Sequence, residues 1–155
     1  MVPKVSVDFF FDRRAVYSRL ETKERQVLSA TGAFHRRAVQ QSMRPGGKKN
    51  KVSEPGQPPR WHTKLLRNGV LFAYDPEARS VIVGVMPLRK EGEAPSKLQT
   101  GGNVTIAQKR RVNGVTKIIK KQVHIAARPY IGPPAPTYNK TIDKMLSLIE
   151  QKELI

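Results

Sequence analysis

The chain has 155 residues and no cysteine. No disulfide framework, thiolate nucleophile or cysteine-based zinc site can be built from it, so stapling must come from packing or from neighbouring chains. It also lacks any apolar run near the roughly 18 residues of a membrane span. The opening MVPKVSVDFFFDRR carries acids and arginines where a signal peptide needs an apolar stretch. A soluble, non-secreted protein with no membrane partner is expected. Acid is scarce: 12 Asp and Glu stand against 29 Lys and Arg, a formal net charge of +17. Such a balance selects an anionic partner, whether nucleic acid, acidic protein or anionic lipid, and says nothing about fold.

Catalytic constellations are missing too. His35, His62 and His124 fall on different expected elements, without the i, i+3 or i, i+4 spacing that presents two metal ligands from one helix. They are read as structural histidines. No Gly-x-Ser-x-Gly elbow, phosphate-cradling loop or dinucleotide fingerprint occurs, and Gly46-Gly47-Lys48-Lys49 lacks both the following Ser or Thr and a preceding strand. Glu91 and Glu93 sit in a lysine-containing loop, where solvated carboxylates are expected. The expectation is a protein that is not an enzyme and needs no cofactor or metal.

What is present divides into helix, sheet and helix, in one domain spanning residues 1–155. Val5, Val7 and Phe9 alternate with polar residues and suggest a short opening strand. Over residues 12–43, Val16, Leu20, Val27, Thr31, Phe34 and Ala38 recur at helical spacings on one stripe, with Gly32 read as marking a bend. Pro45-Gly46-Gly47 ends that helix. Residues 44–61 then form an extended, proline-rich connection holding Pro55, Gly56, Pro58, Pro59 and the chain's one tryptophan, Trp61. Antiparallel sheet is expected over residues 62–125. GVLFAY and SVIVGVM flank a turn at residues 75–79, and a helical turn is expected at residues 96–100. Over residues 103–125 a second hairpin turns at Asn113-Gly114, a pair suited to a type I′ turn. Tyr138, Ile142, Met145, Leu146 and Ile149 define an amphipathic helix over residues 137–152. The fold class is α+β, with both helices on an antiparallel sheet, a long extended loop and a projecting β-hairpin.

That second hairpin concentrates charge. Lys109, Arg110, Arg111, Lys117, Lys120 and Lys121 crowd it without an intervening acid. The type I′ register sets Arg110 against Lys117 and Lys109 against Ile118, and like charges directly opposite destabilise a ribbon. A surface facing an anionic partner is therefore expected, with a solvated edge guarded by lysine as the alternative. No aromatic residue interleaves with these cations, which argues against a single-strand stacking platform, but nonspecific phosphate contact needs only well-placed cations. A second basic cluster, Arg36, Arg37, Arg44, Lys48, Lys49 and Lys51, lies where the long helix meets the loop.

Three landmarks occur in order. The first is Ser53-Glu54-Pro55-Gly56-Gln57-Pro58-Pro59, followed by His62-Thr63-Lys64-Leu65-Leu66-Arg67. The second is Tyr74-Asp75-Pro76 with Ser80-Val81-Ile82-Val83-Gly84, and the third is Ala126-Ala127-Arg128-Pro129-Tyr130-Ile131-Gly132-Pro133. Over about residues 25–150 the series resembles the small neck and tail-completion proteins of tailed bacteriophages. Two departures stand out: the family's Thr-Gly is Thr63-Lys64 here, and the acid usual before its central glycine is absent from Leu98-Gln99-Thr100-Gly101-Gly102.

The resemblance implies a structural virion protein, assembled in the host cytoplasm, that forms a homo-oligomeric ring at the head-tail junction. Its implied partners are adjoining neck, portal-side or tail-terminator proteins, with nonspecific contact to packaged DNA as a further possibility for the hairpin. On this reading residues 44–61 are an intersubunit arm, stiffened by its prolines and anchored by Trp61. The other reading folds that stretch back over its own sheet. Arg128, Pro129 and Tyr130 are expected to be structural, turning the chain out of the sheet with Tyr130 beneath the last helix. The alternative function is sequence-nonspecific nucleic-acid binding by a non-enzymatic protein that acts alone.

Overall fold

The structure, a computed structural model, describes residues 12–46, 51–61, 63–87, 94–112, 115–133 and 135–152. The opening strand at residues 5–9, the Asn113-Gly114 turn, His62, Lys48, Lys49, Glu91 and Glu93 lie outside the described residues.

Helix α1 spans Arg13–Ser42 and is N-capped by Asp12, whose carboxylate accepts the Ala15 N–H at 3.0 Å. It runs through Gly32 without interruption. The glycine instead marks a close approach: a Cβ there would lie 2.6 Å from Val81 Cγ1 and 2.7 Å from Phe72 Cδ2. The short α2 (Leu65–Asn68) leads into an antiparallel hairpin of β1 (Val70–Asp75) and β2 (Ser80–Val85), in register from Val70 opposite Val85 to Asp75 opposite Ser80. Asp75 shapes the turn, its Oδ1 accepting the N–H groups of Glu77 and Ala78 at 3.0 and 3.1 Å. Arg79, at φ 47°, then pairs its guanidinium with both carboxylate oxygens of Glu24 on α1, Nε donating at 3.0 Å. That contact raises the Arg79 pKa above its usual value.

After α3 (Ala94–Thr100) come β3 (Gly102–Val112) and β4 (Val115–Ile125), then α4 (Tyr138–Gln151). The β3–β4 register sets Arg110 opposite Lys117 and Lys109 opposite Ile118, as expected from a two-residue turn, with Val112 opposite Val115. Among the described residues the two hairpins form separate two-stranded sheets instead of one continuous sheet.

The α+β class holds, but the helices are not seated side by side on strands. α1 packs on β1 and β2, while α4 packs on α1. Geometry gives the reason: two strands about 4.8 Å apart make a sheet about 10 Å wide, room for one helix about 10 Å across. The α1–α4 seam holds a polar contact at the N-terminal end of α4. His35 Nδ1 lies 2.7 Å from Thr141 Oγ1, and Tyr138 meets the imidazole edge-on with ring centroids 6.3 Å apart.

The core is Val39, Met43, Leu66, Val70 and Tyr130, with Trp61, Val83, Val85, Leu98 and Ile131 packed around it. It sits where the C-terminal half of α1 crosses β1. Val16 and Leu20, expected in the buried stripe, are instead 40% and 42% exposed. A helix of 30 residues extends about 45 Å, whereas strands of six residues cover only about 20 Å of it. The first turns of α1 overhang its own sheet.

Candidate functional site

The β3–β4 ribbon stands out from the body. Its strands of 11 residues reach about 35 Å. Between residues 105 and 122 every side chain that the structure describes is exposed, on both faces. Register and pleat place Lys109, Arg111, Ile118 and Lys120 on one face, and Ile106, Ile119 and Lys121 on the other. The side chains of Arg110 and Lys117 lie outside the described residues. Ile118 is 64% exposed, so the ribbon presents apolar as well as cationic surface.

Its base is held firmly. Gly101, at φ +78°, brings β3 so close to the chain leaving β4 that a Cβ would sit 3.0 Å from Ala127 N. The Arg128 N–H donates to Leu98 O at 2.7 Å, and His124 Nδ1 lies 2.9 Å from Asn103 Oδ1.

The described part of 44–61, residues 44–46 and 51–61, does not stand away from its own domain. Trp61 N–H donates to Arg44 O at 3.0 Å and Gly46 N–H to Trp61 O at 2.9 Å, closing the stretch into a loop through a parallel bridge between Pro45 and Trp61. The Trp61 indole N–H donates to Met43 O at 3.1 Å, and the half-buried ring packs on the core. Farther along, Gly56 N–H donates to Ala127 O at 2.9 Å and Arg128 Nε to Ser53 O at 3.0 Å. Pro59 is buried and Pro58 half-buried, while Pro55 and Gly56 (φ +80°) are exposed. The described residues lie back against their own chain, because residues 126–128 supply partners for backbone groups that a free arm would leave to water.

Arg128, Pro129 and Tyr130 form the hub that ties loop, α3 and core together. Arg128 donates Nη1 to Ala126 O at 3.1 Å in addition to its bond to Ser53. Tyr130 packs with Val39 and Val70 rather than beneath α4, and its hydroxyl donates to Pro95 O at 3.0 Å. Burial raises the Tyr130 pKa to about 12. Gln99, which sequence reasoning did not single out, clamps this hub. Its Oε1 accepts the N–H groups of Tyr130 and Ile131 at 3.0 and 3.2 Å, and its amide donates back to Ile131 O. In the sequence it is only one residue of the Leu98-Gln99-Thr100-Gly101-Gly102 stretch. Arg36, grouped with the loop cations, is occupied internally, donating to Val70 O at 2.9 Å.

His35 is buried, and burial lowers its pKa. The Thr141 hydroxyl donates to Thr137 O at 3.1 Å, so its oxygen is left to accept from Nδ1–H of a neutral imidazole. Among the described residues no three His, Asp or Glu side chains converge on a possible metal position, and no helix is long and apolar enough to cross a membrane. Compared with protein-family models, curated proteins and solved structures, the chain matches none.

Proposed function

We propose that this chain is a non-enzymatic structural protein of a tailed-phage virion, forming a homo-oligomeric ring at the head-tail connection and docking adjoining rings through its β3–β4 ribbon. The observation that carries the reading is that ribbon. A lone two-stranded hairpin is marginally stable in water, and this one also sets Arg110 against Lys117 while exposing Ile106, Ile118 and Ile119. A partner surface bearing acids around apolar patches offsets both penalties at once. The overhanging start of α1, with Val16, Tyr17 and Leu20 exposed, offers a further apolar surface for contact between copies. The ordered motif series supplies the phage assignment.

The nucleic-acid reading rests on Lys109, Arg111 and Lys120 sharing one face. A two-stranded ribbon can enter a DNA major groove, and clustered cations bind phosphate without regard to sequence. One variant separates the readings. Lys109→Glu, Arg111→Glu and Lys120→Glu together should leave the thermal melt of the domain nearly unchanged and abolish head-to-tail joining. Normal joining with altered DNA retention, and with ring affinity for duplex DNA that falls steeply with salt, assigns the ribbon to DNA instead. Normal joining, DNA retention and infectivity would make it a solvated surface and end the proposal.

A further inference from the structure

A groove of about 840 Å³ runs between residues 52–60, the C-terminal half of α1 and the first turn of α4. Four cations line it: Arg37 and Arg44 from the helix side, Arg60 from the loop and Lys140 from α4, with Glu54 the acid among the lining residues. The lining charge is 4 − 1 = +3. Neither Arg44 nor Lys140 has an ion pair among the described residues. Arg37 donates one N–H to Ala33 O at 3.3 Å, and Arg60 donates to Pro45 O at 3.2 Å. A guanidinium carries five N–H donors, so each retains several for a ligand. α4 directs its N-terminus to the same place, with neither a side-chain cap bond at Thr137 nor an acid in its first turn. Phe34 and Val52, the latter 69% exposed, add apolar surface.

We infer that this groove binds a short acidic, partly apolar peptide segment of a partner protein. Carboxylates meet Arg44, Lys140 and the N-terminus of α4, and an aliphatic side chain rests on Phe34 and Val52. Its volume lies in the range of about 300–1,000 Å³ typical of recesses that take small ligands, which fits a few extended residues. Duplex DNA fits poorly, because proteins read it with protruding helices or ribbons and not with recesses. Charge complementarity and the mixed lining select the peptide. No residue of the ribbon lines this groove.

The test uses the full chain and fluorescence anisotropy with a short labelled peptide alternating glutamate and leucine. A glutamine-leucine peptide and a short duplex DNA serve as comparison probes. Arg44→Glu with Lys140→Glu should weaken glutamate-peptide binding by about tenfold or more, a loss of about 1.4 kcal/mol. Arg19→Glu with Lys152→Glu, which changes net charge equally but lies outside both the groove and the ribbon, should leave binding within about twofold. Backbone amide shifts on titration should centre on Phe34, Val52 and Lys140. If the groove pair lowers the melt, the neutral Arg44→Gln and Lys140→Gln pair replaces it. Equal loss in the groove pair and in the Arg19→Glu, Lys152→Glu pair, equal binding of the glutamine peptide, or no binding at all overturns the inference. So does duplex DNA that displaces the glutamate peptide and is itself lost in the groove variant. Peptide binding that survives in a chain whose ribbon variant joins particles normally would retain the groove and reject the ribbon.

Discussion

Tyr130 is a polar group placed in an apolar core, only 2% exposed with its hydroxyl committed to Pro95 O. Its folded-state pKa of about 12 lies above the unfolded value of about 10. The neutral phenol therefore contributes stability that is fully present below about pH 10 and lost as pH rises through about 12, on the order of 2–3 kcal/mol. Tyr130→Phe removes this titration. At neutral pH the variant should be about 1 kcal/mol less stable, from the lost hydrogen bond, and the difference should shrink and invert as pH approaches about 12. Denaturant melts across that range check it, and a constant difference would show the phenol ionising freely. Trp61 makes a second residue-scale case. Being half-buried with one indole hydrogen bond, it should lose about 2–3 kcal/mol on Trp61→Ala, less than the loss at a fully buried site. The same change should open residues 51–60 to proteolysis, because Trp61 closes that loop. Thermal melting and limited digestion measure the two effects, and an unchanged melt would place the indole outside the core.

Among the elements, α1 is the one on which the rest is hung, and Gly32 sets how near it lies to the β1–β2 sheet. Alanine would raise helix propensity by about 1 kcal/mol. It would also place a Cβ 2.6 Å from Val81 and 2.7 Å from Phe72, and overpacking of a fitted contact costs about 1–3 kcal/mol. The steric effect should win. Gly32→Ala is expected to lower stability by about 1 kcal/mol, read from chemical denaturation, and a stabilised variant would show that the two side chains yield easily. The ribbon is the opposite kind of element: it is long, exposed on both faces and attached at its base through Gly101, Leu98 and Arg128. On the proposed docking role, this firm attachment would set the ribbon's orientation before a partner covers it.

At the scale of the whole molecule, charge dominates. A net +17 is relieved by one ion pair among the described residues, Arg79 with Glu24. Self-repulsion should therefore destabilise the isolated chain, and salt should relieve it, because the screening length falls to about 10 Å at 0.1 M. Melting temperature is expected to rise from low to moderate salt, and more with sulfate than with chloride at equal ionic strength. A flat salt dependence would show that the cations are spread too far apart to repel. If the chain assembles as proposed, copies side by side add to the repulsion, and only acidic surfaces of adjoining proteins would offset it.

Local features are legible in the sequence. The 3.6-residue period marks α1 and α4, two apolar runs around the Asp75 turn mark the first hairpin, and the Asn113-Gly114 pair marks the second and implies the strand register that sets Arg110 against Lys117. These depend on interactions among near neighbours in the chain, which composition and spacing report directly. Tertiary structure alone decided what lies far apart in sequence. His35 meets Thr141 across 106 residues, Arg128 reaches Ser53 across 75, and Gln99 clamps Ile131 across 32. The same holds for the candidate sites. The ribbon could be read from its own residues, whereas the groove could not, because Arg37, Arg60 and Lys140 come from three segments that meet only once α4 has chosen α1, and the loop has chosen residues 126–128, as the surfaces to cover.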